Sequence, residues 1–399
     1  FLNHIFLDLG SAPPSNAYLN KNDLSKPENN YPLKVYVCEK CWLVQTKDYT
    51  NVDVLFNSNY AYFSSTSSSW LTHAKNYTDM IIKKLNLNGD SHVIEVASND
   101  GYLLKNFVKL GIPCLGIEPT DSTANVAKKI GIPVLSKFFS DVLAQKIATE
   151  GKKADLIIGN NVYAHVPDIN DFTKGLKTVL KAGGTITLEF PHVMRLIEHA
   201  QFDTIYHEHF SYLSLHTVIK IFESSNLRIF NVEELLTHGG SLRVYGCHID
   251  DSRKTQKSVN LLLQEEQKQG LQKLKTYQGF QLRADKIKDD LVAFLTEQKN
   301  KGKKVVAYGA AAKGNTLLNY AGIKSDLLPL IFDLSKAKQG CYMPGSRIPI
   351  LSPKFLIDSK PDYVLILPWN IAEEIKKENS ILEKNGSRFM TAIPKLEIL

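Results

Sequence analysis

Several features that mark membrane-spanning and secreted proteins are scarce in this sequence. No apolar run reaches the length that crosses a membrane, and no signal-peptide pattern opens the chain. Five cysteines in 399 residues do not form the framework of a secreted disulfide-rich protein. We therefore expect a cytoplasmic protein that does not bind membranes. The chain begins at Phe1 instead of Met, and we expect that a further amino-terminal segment precedes it.

Basic residues exceed acidic ones, but they are not arranged as in proteins that bind nucleic acid. The formal net charge is +7, and no basic stripe interleaved with aromatic residues is present, so a nucleic-acid partner is disfavoured. A positive balance fits an anionic small-molecule substrate such as a nucleotide sugar. Apolar residues make up 43% of the chain and aromatic residues 10%, enough for well-filled cores in two or three domains.

The Gly-x-Gly-x-x-Gly loop of dinucleotide sites is missing where the first α/β unit would need it. Residues 93–120 form an apolar strand, a small-residue loop, an amphipathic helix and a second strand that ends in an acid. Acids in such a loop repel a pyrophosphate and suit the cationic S-adenosylmethionine, and an acid at the second strand's tip can bind the ribose hydroxyls. An ordinary unit without a ligand is the alternative. The candidate cofactor residues here are Glu95, Ala97, Asn99, Gly101 and Glu118.

Strand and helix patterns alternate through the middle of the chain, which predicts an α/β protein with a doubly wound parallel sheet. Strands are predicted at 92–97, 114–118, 133–135, 154–159 and 184–190, with helices between them and a closing antiparallel hairpin at 227–235 and 240–248. The region before residue 50 is predicted to be irregular outside its cysteine knuckle. The domain limits that we predict are 1–56 for a zinc-binding-like module, 57–251 for the central domain, 252–301 for a helical connector and 302–399 for a Rossmann-like carboxyl-terminal domain.

Two cysteines stand at metal-ligand spacing. Cys38 and Cys41 lie between two strand patterns, as in half of a zinc ribbon. Tetrahedral zinc needs four ligands, and the other three cysteines occur singly in other elements. An unmetallated turn is therefore an equal alternative on the spacing alone.

The carboxyl-terminal unit has a second small-residue turn. A strand that ends at Gly309 is followed by a helix start that contains Lys313 and Asn315. Backbone amides and a lysine at a helix start can hold a diphosphate, which makes both residues substrate-binding candidates. The alternatives are a structural turn with a solvated lysine, or an NAD site in a nucleotide-sugar oxidoreductase or epimerase.

Titratable residues gather after the fourth and fifth strands, where the ligand of such a sheet lies. Asn160 and His165 follow the fourth strand, and His207, Glu208 and His209 follow the fifth. The spacing does not match a helical metalloprotease signature. A histidine that takes a proton from an acidic carbon is the more probable chemistry, with a nearby glutamate to orient it.

Taken together, these segments resemble the three-domain sugar-nucleotide C-methyltransferases that act at C-3 in deoxysugar biosynthesis. The matching segments run in order through nearly the whole chain: Phe6–Gly10 with Pro13–Asn16, Tyr31-Pro-Leu, Cys38–Cys41, Tyr60-Ala-Tyr-Phe-Ser-Ser-Thr-Ser, Glu95–Gly101, Gly116–Pro119, His165-Val-Pro, Glu189-Phe-Pro, Tyr206–Tyr212, Gly239–Tyr245 and Tyr308–Gly314.

The resemblance implies an S-adenosylmethionine-dependent methyl transfer to the carbon beside a ketone. It implies His209 as the base, with Tyr206 and Glu208 beside it and His165 near the sugar. It also implies that Tyr60 reaches over the cofactor. Tyr62 and Arg243 lie in matched segments, and we predict that they bind the substrate, for which the resemblance implies a thymidine-diphosphate sugar.

The family's zinc is held by two Cys-x-x-Cys pairs, of which only Cys38 and Cys41 are present. The resemblance therefore implies structural zinc in an intact protein and leaves it open for this chain. A non-catalytic scaffold is the remaining alternative, and the intact Tyr206–His209 segment argues against it.

Overall fold

The computed structural model describes residues 2–47 and 63–399, whose strands form three sheets of four, seven and six strands. The largest sheet is central and has the strand order β10-β11-β8-β7-β4-β5-β6. Its strands are β4 Val93–Val96, β5 Cys114–Ile117, β6 Val134–Leu135, β7 Ala154–Asn160, β8 Leu180–Pro191, β10 Leu227–Leu235 and β11 Ser241–His248. The pairs from β6 to β8 are parallel, and β11 lies antiparallel to both β8 and β10.

Helices cover both faces of this sheet, as the apolar strands require. Strands buried on both faces are almost wholly apolar, and Val93, Ile94 and Val96 of β4 are buried accordingly. The helices are α1 Ser68–Leu85, α2 Leu104–Lys109, α3 Asp121–Lys129, α4 Asp141–Thr149, α5 Ile169–Val179, α6 Val193–Glu198 and α7 Leu215–Ser224. The predicted doubly wound α/β sheet with a closing antiparallel hairpin is confirmed.

The amino-terminal region contains a sheet. The two strands predicted on either side of the cysteine knuckle are present, whereas the prediction of an irregular segment is wrong at residues 4–12. The strands of this sheet are β1 His4–Ala12, β2 Tyr31–Val37 and β3 Val44–Thr46, joined by β9 Ser211–Tyr212 from the central part of the chain. The pairing of β1 with β2 shifts register twice. Such bulges interrupt the alternation of apolar and polar residues, which is why the sequence pattern hid β1.

A helical connector leads to the carboxyl-terminal sheet. Its helices are α8 Lys257–Lys268, α9 Leu274–Tyr277 and α10 Phe280–Asn300. Gly270 and Gly279 separate them and have positive φ of 77° and 82°, a conformation that glycine adopts without strain. The interruption predicted at these glycines is therefore present.

The carboxyl-terminal sheet has the order β14-β13-β12-β15-β16-β17. Its strands are β12 Val305–Tyr308, β13 Ile331–Phe332, β14 Ile350–Leu351, β15 Tyr363–Ile366, β16 Arg388–Thr391 and β17 Glu397–Ile398, and its helices are α11 Ala312–Tyr320, α12 Ala372–Glu378 and α13 Ile381–Lys384. One apolar core extends from the amino-terminal sheet to this one, and Phe6 stacks on Phe280 of the connector within it. The predicted domain limits stay predictions. Among the residues described, no helix is both long and apolar enough for a membrane span.

Candidate active site

The candidate site lies at the carboxyl edge of the central parallel strands. In an open α/β sheet the ligand binds beyond this edge. The loops that follow β4, β5, β7 and β8 meet there, and they carry most of the residues predicted for the cofactor and the chemistry.

The loop after β4 turns back sharply through residues with positive φ. Ala97, Asn99 and Gly101 have φ of 58°, 49° and 79°. A Cβ at Gly101 would lie 2.3 Å from the Ile132 side chain and 3.1 Å from Cβ of Ala127. The glycine is therefore required by its backbone conformation and by the close approach of neighbouring elements.

Glu118, at the tip of β5, organises this loop. One carboxylate oxygen accepts the Asn99 amide at 2.9 Å, and the other accepts the Thr120 amide at 2.9 Å. Burial raises the pKa of Glu118, and these two hydrogen bonds oppose the rise. Each oxygen has a further lone pair, so the carboxylate retains the capacity to accept hydroxyl groups.

A cluster of acids beside the loop favours a cationic ligand. Burial raises the pKa of Glu95 well above its ordinary value, and the charges of Asp100 and Glu118 raise it further. A bound cation would relieve this repulsion. In addition, neither side-chain amide atom of Asn160 has a hydrogen-bond partner among residues 2–47 and 63–399. This acidic, incompletely satisfied pocket fits the ammonium and sulfonium groups of S-adenosylmethionine.

Two serines just before α1 contact the same loop. The Ser64 amide donates to Oδ1 of Asn99 at 2.9 Å, and the hydroxyl and amide of Ser65 both donate to Asp100. Tyr60 and Tyr62 lie outside the described residues, so their predicted roles stay predictions.

His209 is held in one tautomer beside two other rings. Its Nδ1 lies 2.9 Å from the Thr204 carbonyl oxygen. A carbonyl can only accept, so Nδ1 carries the proton and Nε2 presents a lone pair. The ring centroids of Tyr206 and His165 lie 4.0 Å and 4.5 Å from that of His209. The predicted catalytic residues are thus brought together.

Both histidines are neutral at pH 7. Burial lowers the pKa of His209 well below its ordinary value, and the neighbouring His165 charge lowers it further. Burial lowers the pKa of His165 to about 4. Nδ1 of His165 donates to the Glu208 carbonyl at 2.7 Å, which leaves its Nε2 as an acceptor. A neutral histidine with an unprotonated Nε2 can take a proton from a substrate.

The carboxyl-terminal domain contributes a partly desolvated lysine. Burial lowers the pKa of Lys313 to about 8. Nζ of Lys313 donates to Oδ1 of Asn370 at 2.6 Å and lies over the Trp369 ring. After burial and the neighbouring histidines, the charge of Lys313 also lowers the pKa of His209. Asn315 is buried, and its side-chain amide has no partner within the described part of the chain.

The glycines of this second turn are explained by packing. A Cβ at Gly309 would lie 2.4 Å from Pro368, and one at Gly314 would lie 2.8 Å from Leu367. The close approach is to protein, so these glycines are no signal of an NAD phosphate. Tyr18 of the amino-terminal region donates to the Ala310 carbonyl of the same turn at 2.6 Å.

Arg243 lies in an ion-pair network within the sheet. Its guanidinium donates to Glu189 at 2.8 Å, contacts Glu233 at 3.4 Å and covers the Tyr77 ring. His73 contacts the same Glu189 carboxylate at 2.9 Å. Because two carboxylates already neutralise this arginine, its ion pairs stabilise the sheet. Its predicted contact with the substrate stays a prediction.

The cysteine knuckle lies away from this site. Cys38 and Cys41 carry free thiols. Burial would raise the pKa of Cys38, but amides of Cys41 and Lys40 hold it down to about 7, and a thiolate is the form that binds metal. Across the described residues, no three possible ligands come together. The two thiols therefore do not complete a tetrahedral zinc site, and zinc stays a prediction.

Several residues around the site were assigned no role from the sequence. Asp203 accepts a hydrogen bond from the Trp369 indole at 2.7 Å, and burial raises its pKa to about 6. His238 has φ of 54° and stands in the hairpin turn at the same sheet edge. Burial lowers its pKa to about 4. Asn16 binds Glu208 from the amino-terminal region. Only the spatial arrangement of distant segments reveals these contacts.

Comparison with known proteins gives the class of the enzyme. Three family models match, described as "Putative zinc binding domain" over residues 1–56, "Methyltransferase domain" over 70–232 and "C-methyltransferase C-terminal domain" over 236–394. The C-methyltransferase NovU of Streptomyces niveus is 33% identical over 393 residues, which cover 98% of this chain and 93% of that protein. The chain belongs to this family of C-methyltransferases. It is an enzyme, and S-adenosylmethionine is its methyl donor.

Two of the similar solved structures cover about half of the chain. The PH0226 protein of Pyrococcus horikoshii is 14% identical and covers 47% of this chain and 95% of its own, with a TM-score of 0.39. The magnesium protoporphyrin IX methyltransferase of Synechocystis with bound S-adenosylmethionine is 13% identical and covers 50% of this chain and 99% of its own, with a TM-score of 0.36.

Proposed function

We propose that the enzyme methylates C-3 of a 4-keto-deoxyhexose carried on a nucleotide, through an enolate for which His209 is the base. The observation that carries the proposal is the state of His209. It is a buried, neutral histidine whose Nδ1 proton is engaged by a carbonyl and whose Nε2 is therefore basic. Methyl transfer to oxygen or nitrogen needs no carbon acid, whereas C-methylation beside a ketone requires a base of this kind.

The chemistry follows from the acidity of a carbon beside a carbonyl. Nε2 of His209 takes the C-3 proton, and the electron pair of the C–H bond moves into an enolate on the C-4 oxygen. The bound cofactor supplies an electrophilic methyl group. The enolate carbon would attack that methyl group as the S–CH3 bond breaks, with the bond's electron pair staying on sulfur so that S-adenosylhomocysteine leaves. The C-4 carbonyl is thereby restored, and the proton on His209 passes to solvent.

The residues on the cofactor side would hold its charged groups and ribose. Glu95, Asn99 and Asn160 border the acidic pocket, and Glu118 retains lone pairs for the ribose hydroxyls. Ala97 and Gly101 shape the loop backbone. Burial of these acids makes a cation the ligand that best relieves their repulsion.

The residues on the substrate side suit an anion. Lys313 and the unpartnered amide of Asn315 are available to a diphosphate, and His165 lies beside the base, where the sugar would bind. Tyr206 and Glu208 flank the base. The family resemblance makes thymidine diphosphate the expected carrier. Absence of nucleic-acid and membrane partners and a cytoplasmic location stay predictions.

A mass-spectrometric assay tests the proposal. The protein is incubated with S-adenosylmethionine and a panel of thymidine-diphosphate 4-keto-deoxysugars, and the sugars are examined for one added methyl group on carbon. A methylated sugar that keeps its ketone is the expected product. Cofactor binding with no methylation of any sugar would count against this substrate class, and methylation on a hydroxyl would overturn the enolate mechanism.

A further inference from the structure

We propose that Asn16 is a positioning residue, which holds Glu208 and thereby the His209 segment from the amino-terminal sheet. Oε1 of Glu208 accepts two hydrogen bonds from Asn16, at 3.3 Å from the backbone amide and 3.1 Å from the side-chain amide. The two residues are 192 positions apart. The inference rests on the proposed function, because Glu208 belongs to the active site only if His209 is the base.

The Glu208 carboxylate depends on these donors. Its residue exposure is 0%, and a buried carboxylate is costly unless it is hydrogen-bonded. Within the described ranges its Oε2 has no partner, and Asn16 supplements the backbone of Glu208 itself in stabilising the charge on Oε1. Burial raises the pKa of Glu208, and the Asn16 bonds oppose that rise.

The backbone around Asn16 is conformationally restricted. It follows Pro13 and Pro14, whose rings fix two backbone φ angles. The Ala17 amide donates to the Pro14 carbonyl at 3.1 Å, which closes a turn around Asn16. The side chain is thus presented to Glu208 with little conformational freedom to lose.

The amino-terminal sheet also contacts the chain directly before and after His209. The Thr46 amide donates to the Phe210 carbonyl at 3.0 Å, and β3 pairs with β9 immediately afterwards. His207 donates from its ring to the Tyr31 carbonyl at 3.1 Å. The chain is therefore anchored to the amino-terminal region on both sides of His209, through His207 and Glu208 before it and Phe210 after it. Because His165 donates to the Glu208 carbonyl, displacement of Glu208 would move that histidine too.

The first test does not depend on a substrate. Hydrogen–deuterium exchange of the full chain is compared between wild type, Asn16→Ala and the control Asn29→Ala, an exposed asparagine of the same region. We expect faster exchange in peptides covering residues 206–212 in Asn16→Ala only. Unchanged exchange there would overturn the proposal, as would faster exchange spread evenly over the whole chain.

The second test asks whether Asn16 acts through Glu208. We expect Asn16→Ala to lower kcat by about 10- to 100-fold, the scale of a misplaced catalytic group, and to leave the S-adenosylmethionine dissociation constant unchanged. In a Glu208→Ala background the same change should cause no further loss. Losses that multiply would overturn the proposal. If wild type methylates none of the sugars while the exchange result holds, the proposed function fails and the holding role of Asn16 stands.

Discussion

Replacement of His209 by alanine gives the most direct test of the proposed chemistry. His209→Ala removes the only group whose Nε2 we assign to the C-3 proton, and general bases contribute about 10²- to 10⁴-fold to rate. We expect kcat to fall by that factor. The Thr204 carbonyl also loses its donor, which should lower the free energy of unfolding by roughly 1–3 kcal/mol. Thermal unfolding of the variant is therefore measured alongside.

The assay can isolate proton removal from methyl transfer. In deuterated water, wild type with the keto sugar and no S-adenosylmethionine should exchange the C-3 proton for deuterium, visible as a gain of one mass unit. His209→Ala should not, whereas the exposed control His199→Ala should exchange like wild type. A folded His209→Ala variant that binds the cofactor and still exchanges C-3 would refute the assignment of the base.

The remaining predictions concern the cofactor, the substrate and the sheet. Glu118→Ala should weaken S-adenosylmethionine binding in calorimetry and lower the free energy of unfolding by about 1–3 kcal/mol, because two buried amides lose their acceptor; unchanged affinity would contradict the assignment. Lys313→Met should raise KM for the nucleotide sugar about tenfold or more, since a hydrogen bond to a charged group contributes roughly 1.5–3 kcal/mol. KM for the cofactor should not change in this variant, and the exposed control Lys336→Met should keep the wild-type KM for the nucleotide sugar. Arg243→Met should lower the free energy of urea unfolding by about 3 kcal/mol, because Glu189 loses its main cation in a buried site; a wild-type midpoint would show that the pair is not needed for stability.

Elements with an uninterrupted pattern could be predicted from the sequence. The apolar strands β4, β5 and β7 are bounded by turn residues, so their positions and parallel arrangement followed from local signals. The crowding of titratable residues around His209 also has a local signature, because strand ends and the residues after them meet at one edge of the sheet.

Contacts between distant segments could not be predicted in this way. Bulges in β1 hide its alternation, and β9 has only two residues and forms because β3 is there to pair with it. The Trp369–Asp203 hydrogen bond joins residues 166 positions apart. No spacing within a single segment encodes such a pairing, since it depends on how three sheets pack together.

The two sides of the site have opposite charge preferences, and this bears on how a weakly basic histidine could remove a carbon-bound proton. On the cofactor side, burial first, and then the charges of Asp100 and Glu118, raise the pKa of Glu95. On the substrate side, burial first, and then coulombic repulsion from His165, His238 and Lys313, lowers the pKa of His209. In the free enzyme His209 is therefore neutral at pH 7, and activity should be lost only as the pH falls through a pKa well below 6.5.

A bound anion would favour the protonated form of His209 and raise its pKa, which makes His209 a stronger base only when substrate is present. Because kcat/KM reports the free enzyme and kcat reports the complex, we expect the acid limb of kcat to lie at higher pH than that of kcat/KM. Coincident limbs would show that the substrate does not tune its own base, and a kcat/KM limb at or above 6.5 would contradict the buried, neutral histidine on which the mechanism depends.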